Sequence, residues 1–94
     1  MTVREETIAR KIREAKPKSA VRVIGSEVCF AHLLDSLAQR PDLVLEVGFD
    51  LSGEKLLVRF PAGCVFTRYM TGQDLNLSLC AEAFGAVRLP GGVS

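Results

Sequence analysis

The sequence predicts one small α+β domain. The expected architecture is an antiparallel sheet of about four to five strands covered by one amphipathic helix, with a basic N-terminal helix at its edge. Three observations carry this. The chain has 94 residues, room for one core and not two. Residues 46–59, "EVGFDLSGEKLLVR", alternate apolar and polar on both sides of a Ser-Gly break. Residues 26–39 place their apolar side chains on one side at helical spacing. The domain spans 1–94, with the basic helix in 1–18, the α+β core in 20–90 and a flexible tail in 91–94.

The first element begins with Thr2-Val3-Arg4-Glu5, a capping box with Thr2 as N-cap and Glu5 reaching back. The helix should run from Val3 to about Ala15, because Pro17 keeps Lys16 out of the helical region. Glu6 and Arg10 form a favourable i,i+4 pair. The apolar stripe is thin, Ile8 and Ile12 with Ala15, so loose docking is expected. Ala20-Val21-Arg22-Val23-Ile24 reads as a short strand ending at Gly25.

Ser26 then reads as an N-cap, with Glu27 in the first turn and a helix continuing to about Gln39, before Pro41. Phe30, Ala31, Leu33, Leu34, Leu37 and Ala38 fall on one side. His32, Asp35, Ser36 and Gln39 fall on the other. This helix should cover the sheet.

The hairpin 43–51/55–60 is predicted in one register. With Ser52 and Gly53 at the turn, Phe49 faces Leu56, Val47 faces Val58 and Leu45 faces Phe60. On the opposite face Asp50 meets Lys55 and Glu46 meets Arg59, while Gly48 meets Leu57. A one-residue slip would send one whole strand to the wrong face. Asp50, Ser52 and Glu54 are therefore read as turn residues rather than ligands. Beyond Pro61-Ala62-Gly63, residues Cys64–Met70 are rich in strand formers. Leu75–Cys80 alternates strictly and is read as a strand. The helical alternative over 73–84 rests on a glycine at the end of Ala81–Gly85. Ala86–Leu89 can add a last strand.

Composition limits function. Basic and acidic residues nearly balance, at 12 and 11, but residues 1–22 are strongly basic and the remainder mildly acidic. A basic segment can grip nucleic acid or an acidic protein. Arg10, Lys11 and Arg13 surround the first helix rather than forming one face, which favours a protein partner. The start, Met1–Glu6, shows no apolar signal region, and no run is long enough to span a bilayer. Three widely spaced cysteines fit a reducing, cytoplasmic setting.

No cofactor is expected, because the glycines are isolated and form no phosphate loop. Cys29-x-x-His32 is the candidate for chemistry: such a pair can serve as nucleophile and base, or as half of a metal site. Cys64 and Cys80 have no second ligand nearby, so neither a metal nor a catalytic role is assigned. Phe66, Arg68 and Tyr69 could stack nucleic-acid bases, but core packing is preferred for them.

"GEKLLVRFPAGCVF" at 53–66 and "AEAFGAVRL" at 81–89 resemble the small KH-like C-terminal domain of the bacterial DNA polymerase III tau subunit. That resemblance implies a helix over 73–84 and a nucleic-acid partner. The residues themselves favour a non-enzymatic binding or regulatory module. Its partner is a protein or a second copy, met through Ile8 and Ile12 or through the edge of Val21–Ile24, with nucleic acid as the alternative.

Overall fold

The computed structural model describes residues 2–66 and 68–89. Helix α1, Val3–Glu14, starts as its capping box requires: Thr2 Oγ1 accepts the Glu5 N–H at 3.1 Å, and Glu5 Oε1 accepts the Thr2 N–H at 2.8 Å. It docks more firmly than its thin stripe suggests. Ile8 and Ala9 are buried and Ile12 is fully so. A distant side chain closes its other end. Arg40 Nη1 donates to the carbonyls of Ile12 and Arg13, both at 3.0 Å. Those carbonyls lack helical partners, so the guanidinium acts as a C-terminal cap. Arg40 is itself held by a two-bond fork onto Asp42, each bond 3.1 Å. Asp42 Oδ2 also accepts the N–H of Lys18, which sits at a left-handed φ of 60°.

Strand β1, Ala20–Ile24, pairs with β2, Val44–Leu51, in parallel, from Ala20 opposite Val44 to Ile24 opposite Gly48. This corrects the expected all-antiparallel sheet. A parallel neighbour needs a crossover, and residues 25–43 supply it by carrying Phe30, Leu33 and Leu37 over the sheet before β2 begins. Strand β3, Glu54–Pro61, returns antiparallel in the predicted register. Phe49 lies opposite Leu56, Val47 opposite Val58, Leu45 opposite Phe60, Glu46 opposite Arg59 and Asp50 opposite Lys55. Ser52 and Gly53 both take positive φ, 55° and 81°, the twist a two-residue hairpin turn needs.

The predicted helix over 26–39 is broken. Gly25–Glu27 and Phe30–Leu33 are 3-10 turns, and only Leu34–Ala38, α2, is α-helical. Val28 and Cys29 between them are extended. Val28 enters the core, and the Cys29 N–H bonds the Glu5 carboxylate at 2.6 Å, which ties this extended pair to the start of α1. The apolar side still meets the sheet: Phe30, Leu33 and Leu37 are almost wholly buried. Ser36, expected outside, is buried as well and accepts a bond from Arg13.

Two more expectations are corrected. The predicted strand Cys64–Met70 is instead a 3-10 turn, Ala62–Phe66, followed by β4, Met70–Thr71, which pairs with β5, Asp74–Leu75. Ala62 is fully buried and its N–H bonds Leu43 O at 3.0 Å, which turns the chain inward. Thr67 and the side chains of Val65 and Phe66 lie outside the described residues, as does the tail 90–94.

The predicted strand Leu75–Cys80 gives way to helix α3, Leu77–Phe84. Inside a helix Asn76 would fall within the apolar arc. It lies instead at the N-cap, where its Oδ1 accepts the Leu79 N–H at 3.0 Å. Gly85 closes the helix at φ 79°. Strand β6, Val87–Arg88, pairs antiparallel with β3 and completes the sheet order β1-β2-β3-β6.

All three helices send side chains into one core on one face of this sheet: Ile12, Leu33, Leu37 and Cys80 meet Val23, Leu45, Val47, Val58 and Phe60. No helix covers the other face among the described residues. There Arg22, Glu46 and Arg59 stand in one row across three strands, with Glu46 paired to both arginines at 3.5 and 3.0 Å. Truncating Phe60 to Ala should cost about 3–5 kcal/mol, and Asn76→Ala about 1 kcal/mol through the lost cap, both read by urea denaturation. Equal losses would contradict this ranking of core and cap.

Candidate functional site

The structure separates the residues expected to meet a partner. Ile8 and Ile12 belong to the chain's own core and are not available to another molecule. Arg10, Lys11 and Arg13 remain exposed, but they diverge. Arg13 leans toward α2 through Ser36, whereas Lys11 lines a groove against β1. The basic helix therefore offers no single basic face.

The groove of about 430 Å³ is formed by Lys11, Ala15, Lys16, Ser19, Ala20, Val21 and Arg22. Its floor is the outer edge of β1, which among the described residues pairs only with β2. Ser19 O accepts the Val44 N–H at 3.0 Å, so the odd-numbered residues direct their backbone groups at β2. By the alternation of a strand, Ala20, Arg22 and Ile24 direct theirs outward, unpaired in the sheet. Every charged residue lining the groove is basic: Lys11, Lys16 and Arg22. Arg22 also pairs with Glu46, yet its side chain stays 62% exposed.

A second constellation lies at the start of α1. Glu5, Cys29 and His32 place a carboxylate oxygen, a sulfur and a ring nitrogen within 4.8 Å of one another. Glu5 is 2% exposed. Its Oε2 accepts the Cys29 N–H at 2.6 Å and lies 3.1 Å from His32 Nδ1. The Thr2 N–H, then the Cys29 N–H, draw the Glu5 carboxyl from 4.5 down to about 2 against the upward pull of burial. The Thr2 side chain and His32 make smaller contributions to that same lowering. Cys29 Sγ donates to Gln73 O at 3.4 Å.

The group of converging ligands contains neither Cys64 nor Cys80, so a set of three cysteines with His32 does not assemble. Cys80 is buried in the core, and desolvation pushes its thiol up to about 11. Sequence reasoning placed Cys29 and His32 together but missed Glu5. Glu5 already had a local role in the capping box, and nothing in its neighbours signals a contact 24 residues away. Tyr69 is half-buried and packs its ring on Phe84, with centroids 5.3 Å apart, rather than offering a free stacking face. Glu54 is engaged by Arg88 at the hairpin corner.

No protein-family model, curated protein or solved structure matches this chain. No helix among the described residues is long and apolar enough to cross a membrane.

Ile12→Asp should unfold the chain rather than remove one interaction, because it buries a charge without a partner; circular dichroism would show the loss. Acid should act through two carboxylates. Asp42 is held at about 2 by the Arg40 fork, and Glu5 at about 2 by its amide donors. Both lie below their ordinary values of 3.8 and 4.5, so their stabilisation is complete above those values and fades as pH falls toward about 2. Melts across that window should show a shallower acid loss in Glu5→Gln and Asp42→Asn than in the parent; an unchanged slope would refute the assignment.

Proposed function

We propose that this chain is a small non-enzymatic binding module that takes an extended, acidic segment of a partner protein as an added strand along the outer edge of β1. The observation that carries the reading is the groove between α1 and that edge, with outward backbone groups on its floor and Lys11, Lys16 and Arg22 around it. Strand addition draws affinity from main-chain bonds and specificity from alternate side chains. A peptide carrying acidic residues meets both the open ladder and the basic rim.

Charge favours an acidic partner over a second copy. An antiparallel copy of β1 centred on Arg22 would set two arginines directly opposite each other, a destabilising pair. Nucleic acid is disfavoured for a related reason: Arg10, Lys11 and Arg13 diverge, and the Tyr69 ring is engaged with Phe84. The resemblance at 53–66 and 81–89 keeps an oligonucleotide in the test.

The test uses a fluorescent peptide of alternating Val and Glu, followed by anisotropy. Binding should weaken with salt and fall about tenfold or more in the Lys16→Glu, Arg22→Glu double variant. Methylating the peptide amides that face β1 should abolish it while leaving every charge in place. Equal binding of the methylated peptide would end the strand-addition reading. A single-stranded oligonucleotide that binds more tightly than the peptide would replace it with the nucleic-acid reading. A salt-resistant dimer in sedimentation, with β1 amides protected from exchange, would make a second copy the occupant.

A further inference from the structure

We propose that Glu5, Cys29 and His32 form a site for one divalent cation of the zinc class, bound through a carboxylate oxygen, a thiolate sulfur and an imidazole nitrogen. Two segments bring these donors together. Glu5 stands in the first turn of α1, Cys29 caps the 3-10 turn Phe30–Leu33, and His32 lies within that turn. Their ligand atoms fall within 4.8 Å of one another, close enough to share one ion after small side-chain adjustments.

The donor set selects the metal. Thiolate and imidazole suit zinc, whereas calcium and magnesium require oxygen ligands. The electrostatics agree. Glu5 is buried, and its ion-pair partner among the described residues is His32 alone, with Arg4 turned instead to Glu27. A cation at this point neutralises a carboxylate already withdrawn from water. The surrounding bonds orient the ligand in advance. The Thr2 N–H holds Oε1 and the Cys29 N–H holds Oε2, the outer-shell support that metal-binding carboxylates use.

Binding is balanced in protons. The Cys29 thiol loses its proton to solvent, gives up its bond to Gln73 O and bonds the metal as thiolate. The imidazole lends a lone pair from one ring nitrogen and keeps its proton on the other. Three protein ligands leave a fourth position for water or for Gln73 Oε1, which lies 4.0 Å from the sulfur. The metal would tie α1 to the 29–33 turn and so stabilise the fold by linkage.

The full chain is titrated under reducing conditions with zinc chloride, and separately with cobalt(II), and examined by native mass spectrometry, absorption and thermal melting. One zinc per chain, a raised melting temperature and a thiolate-to-cobalt charge-transfer band are expected. Cys29→Ser should abolish the band. His32→Ala should lower zinc affinity by more than about tenfold, the least that loss of even an outer-shell partner costs. Both side chains are partly exposed, so these variants should keep the parent circular dichroism. Cys64→Ser should bind as the parent does. No retained zinc overturns the proposal, as does zinc held equally well by the Cys29→Ser, His32→Ala double variant or lost only in Cys64→Ser.

Discussion

The pairing of β2 with β3 sets the position of everything else. Leu45, Val47 and Phe49 face the core together with Val58 and Phe60, while Glu46 and Arg59 face the opposite side. The side-chain period of a strand is two, so a one-residue slip would turn one strand to the wrong face, and a two-residue slip would part Glu46 from Arg59. The turn agrees, since Ser52 and Gly53 supply the positive φ values that match strand twist. With this hairpin in place, β1 can add only to the free side of β2, and β6 only to the free side of β3.

Helix α1 is held at both ends by polar groups, and its apolar stripe alone does not explain its position. At its start Glu5 closes the capping box and reaches Cys29 and His32. At its end Arg40 caps the carbonyls of Ile12 and Arg13 and is braced by Asp42. Two charged residues, each bonded to backbone far away in sequence, keep a short stripe pressed into the core. The same attachment sets α1 beside β1 and forms the basic groove. It also brings a carboxylate to a thiol and an imidazole. The two candidate sites thus share one structural cause, though their chemistry differs. The groove presents exposed charge and open main chain, which salt screens. The Glu5 cluster presents a withdrawn carboxylate, which salt screens much less.

Much of the architecture was legible from local pattern. The capping box at Thr2 and Glu5, the hairpin register and the apolar side of 30–37 each rest on residues close in sequence or on strict alternation. The misreadings share one origin. Leu75–Cys80 alternates like a strand, but Asn76 caps α3 and so stands at its start instead of inside the apolar arc. Residues 26–39 have helical spacing, yet the segment breaks at Val28 and Cys29, where Glu5 offers a backbone N–H a partner outside the helix. Ile8 and Ile12 looked sparse enough to be left for a partner, and the Arg40 clasp turned them inward.

The sequence by itself determined the α+β class, the first helix with its cap, and which residues of β2 and β3 oppose each other. Periodicity and turn chemistry act over a few residues, and there they were unambiguous. Only the tertiary structure decided that β1 runs parallel to β2, that its outer edge lies open beside basic side chains, and that Glu5 meets Cys29 and His32. Those outcomes depend on strand pairing and side-chain contacts between positions distant in sequence, and such contacts leave no periodic trace in the chain.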